Sequence, residues 1–225
     1  MTSPWPNWPR TPRACRGCPR ATRTAPPTRT RSSPRRWPNA SFASFPRSRA
    51  ADWDYSNFGF QALSLALERA AGSPFGVLLD LHVFGPLEMT CSGVAGRGGG
   101  TRVQGHAKGR PVAAWTHRLW GAGGVEASAE DMARYLSACL LPPDSVVGRA
   151  IRLAQHPRYQ IDPLRSAGLG WALGPPGYLG HDGGTSGFRA MLGLRQPARR
   201  AAAVVASDRG ARGLAQAVRR LLDAG

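Results

Sequence analysis

Four short runs, Gly168–Gly174, Tyr178–Thr185, Phe188–Arg195 and Ala201–Ser207, follow one another with only turn-forming residues between them: Pro-Pro-Gly, Ser-Gly and Gln-Pro-Ala-Arg-Arg. Runs this short, separated this closely, leave room only for hairpin connections, so the stretch reads as an antiparallel meander. A meander has a face to bury, and the flanking sequence offers the cover. Phe58 to Ala71 reads as a helix, with Phe60, Leu63, Leu67 and Ala70 on one stripe and Gly72 as its stop. Ser73-Pro74 restarts a helix that turns Phe75, Leu78, Leu79 and Val83 inward and ends before Gly85-Pro86. Ser128-Ala129-Glu130-Asp131 has the pattern of a capping box and opens a third helix, with Met132, Tyr135, Leu136 and Cys139 as its buried face and Leu141-Pro142-Pro143 as its end. A last helix from Ala211 to Asp223 sets Leu214, Ala217 or Val218, and Leu221 on one side. Gly93 to Gly124, glycine-rich and aperiodic, reads as a long excursion over the surface or along a cleft. The expected class is therefore α+β, an antiparallel β-sheet flanked by helices.

Composition matters at one boundary. Residues 1–50 hold 11 Arg and 10 of the 20 Pro with no Asp or Glu, whereas the other 175 residues carry all 13 acidic groups against 18 Arg and one Lys. Of the net charge of +17, 11 units thus belong to the first 50 positions. Such a segment has too little apolar area to offset chain entropy and reads as disordered. It is expected to be a solvated tail, or a GC-rich coding segment translated out of frame, which translation of the other two frames would test. A basic arm can also bind nucleic acid by counterion release. Here that partner is not expected, because no helix-turn-helix, zinc-finger or RNA-binding pattern accompanies the arm. The organisation expected is a basic segment over 1–51 and one domain over 52–225.

No run approaches the roughly 20 apolar residues of a membrane span, and the start of the chain lacks the apolar region of a signal peptide; a cytoplasmic setting is the default. Cys15-x-x-Cys18 has no second pair at zinc-site spacing, and Cys91 and Cys139 stand apart. No metal and no cofactor are expected.

Two segments carry groups of the kind an acyl-transfer site uses. They are Tyr55-Ser56-Asn57, at the start of the first helix, and His181-Asp182-Gly183, within the meander. Each has a plain structural alternative: Tyr55 as a packed aromatic, Asn57 as a helix N-cap, His181 as a strand histidine, Gly183-Gly184 as a bulge or turn. The nucleophile is the missing element. Lys108 is the only lysine, and three positions before it stands Gly105, so no Ser-x-x-Lys exists in these 225 residues. Gly184-Thr185-Ser186-Gly187-Phe188 has Phe where a nucleophile elbow needs Gly and lies between two strands, which makes Ser186 a turn residue. His181 and Asp182 are strand neighbours pointing to opposite faces and cannot form a relay. His82, His106, His117 and His156 have no carboxylate or cysteine at useful spacing and are expected to be structural or exposed.

At this point the chain resembles the serine β-lactamase-like family of class C β-lactamases, D-alanyl-D-alanine peptidases, D-aminopeptidases and related esterases. The carriers are Asp54-Tyr55-Ser56-Asn57-Phe58-Gly59, Phe84-Gly85-Pro86-Leu87-Glu88-Met89-Thr90, Gly121 to Met132, and His181 to Phe188, four blocks in the family's order over residues 52–225. The family often has Lys-Thr-Gly where this chain has His181-Asp182-Gly183, a His-x-Gly form found in its peptidase and esterase branches. The resemblance implies a small-molecule or peptide substrate with an amide or ester bond, hydrolysed through an acyl-enzyme. Tyr55 would be the base for the nucleophile, a role that needs a neighbouring cation because a free phenol ionises near about pH 10. Asn57 would bond the substrate amide or the lysine of Ser-x-x-Lys, and His181 would donate to Tyr55 or to a substrate carboxylate. Gly183 would admit the substrate backbone, the Gly184 N–H would be half of the oxyanion hole, and Thr185 would line the pocket. In the family, Ser-x-x-Lys lies far upstream of Tyr-x-Asn, on a central helix, and only 54 residues precede Tyr55 here. The resemblance therefore implies a family domain truncated at its N-terminus, with an exposed apolar sheet edge, inactive as written. The alternative is a non-catalytic ligand-binding or interaction module that keeps the cleft.

Overall fold

The computed structural model describes residues 53–94, 101–113 and 120–224. The basic segment 1–51, the Cys15–Cys18 spacing and His117 lie outside the described residues. The meander is present and longer than the sequence indicates. Six antiparallel strands, β5 (Tyr159–Asp162), β6 (Arg165–Ala167), β7 (Ala172–Gly174), β8 (Tyr178–Gly184), β9 (Arg189–Arg195) and β10 (Arg200–Ala206), form one sheet in the order β10-β9-β8-β7-β6-β5. Four further strands, β1 (Gly93–Val94), β2 (His106–Ala107), β3 (Arg110–Pro111) and β4 (Val125–Glu126), make two small pairs, β1 with β4 and β2 with β3. Helices α3 (Ala129–Leu140) and α4 (Val146–Gln155) lie against one face of the large sheet, and α5 (Leu214–Asp223) covers the other. The α+β expectation holds.

The strand period explains the two-sided cover. Leu179 and His181 of β8 stand opposite Leu194 and Leu192 of β9, and these side chains share the α3/α4 face. Leu179 and Leu194 join Leu136, Cys139, Val147, Ile151 and Trp171 in one core, where Leu194 is completely buried. On the other face, α5 lies so near β9 that a Cβ on Gly193 would meet Val218 Cγ1 at 2.9 Å. That approach selects Val218 and Leu222 as the buried face of α5. Leu221, expected inside, is instead 56% exposed.

Helix α4 has no counterpart in the sequence reading, nor have β5 and β6. The Gly93–Gly124 excursion contains β1, β2 and β3. The β2–β3 hairpin is tied down at its base: His106 N donates to Ser207 O (2.9 Å) and Gly187 O (3.2 Å), and a Cβ on Gly105 would strike Gly187 Cα at 2.9 Å.

Helix α1 (Asn57–Ala71) and helix α2 (Phe75–Leu79, continued by a π turn over Asp80–Phe84) stand outside this core. The stripe expected to be buried on α1 is not: Leu63 and Leu67 are exposed, and the buried residue is Ser64. The reason is the neighbour. The turn Trp120–Ala122 lies against α1 so closely that a Cβ on Gly121 would come within 2.3 Å of Phe60 O and 2.9 Å of Ser64 Cβ, a gap that only a small side chain fits.

The N-terminus of α3 also departs from the expected capping box. Ser128 Oγ accepts from Asp131 N at 3.1 Å, the first half of that motif. The second half would need Asp131 to reach back to Ser128. The carboxylate, 1% exposed, instead accepts from Cys91 N and Ser92 Oγ, both at 2.8 Å, and ties the segment after α2 to α3.

Candidate functional site

The start of α1 and the second half of β8 meet. Tyr55, one residue before the N-cap, stacks at 5.6 Å on Phe60, one turn into the helix, and its ring lies 6.2 Å from the ring of His181. Residues 126 apart in sequence thus face each other, with Tyr55 46% exposed. Ser56 caps α1, its Oγ accepting from Gly59 N at 3.0 Å. Asn57 is therefore not the cap that the structural alternative made it; it is the first helical residue, exposed, with its amide not committed to capping.

His181 is held from behind. Its Nδ1 lies 2.7 Å from Gly170 O, and because a carbonyl can only accept, Nδ1 carries the proton. The neutral ring then presents the lone pair of Nε2, not an N–H. Nε2 donates when the ring is the imidazolium form. Asp182 points to the other face, where its carboxylate lies 3.9 Å from Arg189 Nη2 in an exposed pair.

The backbone around Gly183 and Gly184 can be read from register. Thr185 N donates to Phe188 O at 3.1 Å, which makes 185 and 188 a hydrogen-bonded pair across the tight turn holding Ser186 and Gly187. Bonded and non-bonded pairs alternate in an antiparallel ladder, so Gly184, opposite Arg189, turns its N–H away from β9. On that side β7 pairs with β8 only as far as Ala172↔Gly180. The amide of Gly184 thus points off a strand edge that no other strand covers among the described residues. Gly183 is on the His181 face, and a Cβ there would meet nothing within 4 Å, so the space above it is open. Thr185 is half-buried beside the turn.

Two contributors escaped the sequence reading. Phe60 braces Tyr55, and its place one turn along α1 was a usable signal. Gly170 supplies a backbone carbonyl, which no side-chain pattern reveals. Cys139 is fully buried, and burial pushes its thiol up to about 11, so the thiolate is scarce near neutrality. Tyr135 beside it is also raised, by burial first and by Cys139 second. Among the described residues no group of three or more His, Cys, Asp or Glu is placed to hold a metal ion, and no helix is long and apolar enough to cross a membrane.

A family model described as Beta-lactamase matches residues 20–225, which includes all four sequence blocks. No curated protein sequence matches. Among solved structures, the octameric penicillin-binding protein homologue from Pyrococcus abyssi superposes with a TM-score of 0.62 at 19% identity, over 71% of this chain and 40% of that one. At that identity the likeness is one of fold, and the chain spans well under half of that protein's length.

Proposed function

Because this chain belongs to the Beta-lactamase family, we propose that the groove between Tyr55 and the His181–Gly184 edge of β8 is its substrate cleft, a site that binds a small amide or ester. The observation that carries the reading is the facing of Tyr55 and His181 at 6.2 Å, beside the open space over Gly183. In this cleft the Gly184 N–H is the donor for the ligand carbonyl, and Gly183 lets an extended ligand lie close to β8. Asn57, relieved of capping by Ser56, bonds the ligand amide. His181 Nε2 accepts from a ligand N–H or from the Tyr55 hydroxyl, and Thr185 lines the end of the cleft.

The same reading has this polypeptide bind without turnover. Tyr55 as a base needs both a serine to deprotonate and a cation to stabilise the phenolate, and the sequence has no Ser-x-x-Lys to supply them. The test uses the full chain with a fluorophosphonate probe, a chromogenic β-lactam and a p-nitrophenyl ester, alongside calorimetric titration with an intact β-lactam. Expected are no covalent label, no colour, and saturable binding that is weakened at least tenfold by His181→Ala. A labelled serine would overturn the non-catalytic part, and absence of any binding would overturn the cleft.

A further inference from the structure

The tight turn between β8 and β9 is gripped from outside the sheet. Thr185 N closes it by donating to Phe188 O at 3.1 Å, and the β2–β3 hairpin lies directly against its backbone. The two chains touch glycine to glycine. A Cβ on Gly187 would come within 2.6 Å of Gly105 Cα and 2.8 Å of Val112 Cγ2, and a Cβ on Gly105 within 2.7 Å of Phe188 Cε2. Neither glycine has a positive φ, so the close approach is what requires both.

The hairpin is latched at its base and at its tip. At the base, His106 N donates to Gly187 O and Ser207 O, and Arg209 N donates to His106 O at 2.9 Å. The His106 ring adds to this, since Nδ1 lies 3.1 Å from Ser207 O and must carry the proton to donate there. At the tip, the Asp208 carboxylate accepts from Gly109 N at 3.1 Å with one oxygen and from Gly210 N at 2.6 Å with the other. The tip depends on that carboxylate. With strands of two residues each, β2–β3 is too short to be stable alone. Its turn residues Lys108 and Gly109 have φ of 53° and 73°, the type I′ pattern, whose first position favours Asn over Lys.

We infer that this hairpin is a strap that fixes the Gly184–Phe188 end of β8, with Gly105, His106 and Asp208 as positioning residues for the Gly184 N–H and Thr185. The inference rests on the cleft proposed above. Its basis is an asymmetry in how β8 is held: beyond Gly180 the strand pairs with β9 alone among the described residues. The strap supplies a second attachment, running from the turn to Ser207–Arg209. A donor aimed at a ligand carbonyl is effective only while its backbone keeps its direction, and here that direction is set at the turn the strap grips.

The test uses the isotope-labelled full chain, with amide hydrogen exchange measured on the free protein and affinity for an intact β-lactam measured by calorimetry. Asp208→Ala removes both acceptors at the tip. The Thr185 N–H should then exchange roughly tenfold faster, the Gly184 amide resonance should move, and binding should weaken roughly fivefold, with far-ultraviolet circular dichroism unchanged. Gly105→Ala, which forces the hairpin off Gly187, should act alike. Lys108→Asn, which gives the turn its preferred Asn-Gly, should recover part of both losses in the Asp208→Ala background. Asp162→Ala removes a similar clasp at the far end of the sheet, where Asp162 Oδ1 accepts from Leu164 N and Arg165 N, both at 2.9 Å, and should change neither readout. Thr185 exchange unchanged in both Asp208→Ala and Gly105→Ala would overturn the strap. Binding that His181→Ala weakens and neither strap variant does would overturn the positioning role and leave the cleft standing. A wild-type chain that binds nothing would overturn the cleft, and the exchange rates would still decide the strap.

Discussion

The two walls of the proposed cleft are built by opposite means. His181 stands on a strand whose neighbours, Leu179 and Leu194, are in the core, and its ring is fixed by Gly170 O. Tyr55 stands ahead of a helix that buries one serine, leaves Leu63 and Leu67 in solvent, and is held by the close approach of Gly121 and by the stacking on Phe60. One wall owes its position to a packed core, the other to a few local contacts. Damage to the first should therefore unfold the protein, and damage to the second should spoil the site while the fold survives.

The largest effect should follow from Leu194→Ala, which empties a fully buried position in the sheet. Core truncations of this kind cost about 2–5 kcal/mol. Leu63→Ala on exposed α1 should stay within about 0.5 kcal/mol. Urea titration of both variants measures the contrast, and equal losses would mean that α1 is as firmly integrated as the sheet.

Alkaline pH probes the same core without mutation. The Cys139 thiol is raised from 9.0 to about 11 by burial, and Tyr135 moves the same way. Both are acids favoured in the neutral form when folded. The stability this confers is present below the unfolded-state values and is lost as pH climbs from about 9 through about 11, because the unfolded chain ionises first. The urea midpoint should thus fall steeply over that window, and Cys139→Ala should flatten part of the fall.

Next in size is Gly121→Ala. Its Cβ would lie 2.3 Å from Phe60 O, a clash relieved only by moving α1 from the Trp120–Ala122 turn. Overpacking of this order costs about 1–3 kcal/mol. The informative readout is the site: affinity for an intact β-lactam should fall as far as in His181→Ala, while the far-ultraviolet circular dichroism stays unchanged. Retained affinity would show that α1 is not what positions Tyr55.

How much of this was legible in sequence follows the same division. The meander and the cap at Ser128 could be read because turn residues and capping are local rules. Helix α4 was hidden because Pro142-Pro143 read as an end, although Ser145, whose Oγ accepts from Gly148 N at 3.3 Å, is an N-cap of the ordinary kind. The face of α1 was misread because periodicity identifies a stripe but not the neighbour that covers it, and here the neighbour is a glycine turn that fits against Ser64. Tyr55 and His181 could be associated only through the family resemblance, since nothing local joins residues 126 apart. Gly170 was out of reach because its contribution is a carbonyl.

The smallest effect should come from the strand position beside His181. Asp182 is paired with Arg189 at 3.9 Å, both side chains well exposed, and pairs of that type contribute between about 0 and 1 kcal/mol. Asp182→Asn should leave the urea midpoint nearly unchanged. It should leave binding unchanged as well, because Asp182 is on the α5 face while His181 takes its orientation from Gly170 O on the other. A drop in affinity comparable to that of His181→Ala would mean that the carboxylate acts on the imidazole after all. In that case the packed wall, too, would owe its chemistry to a local contact.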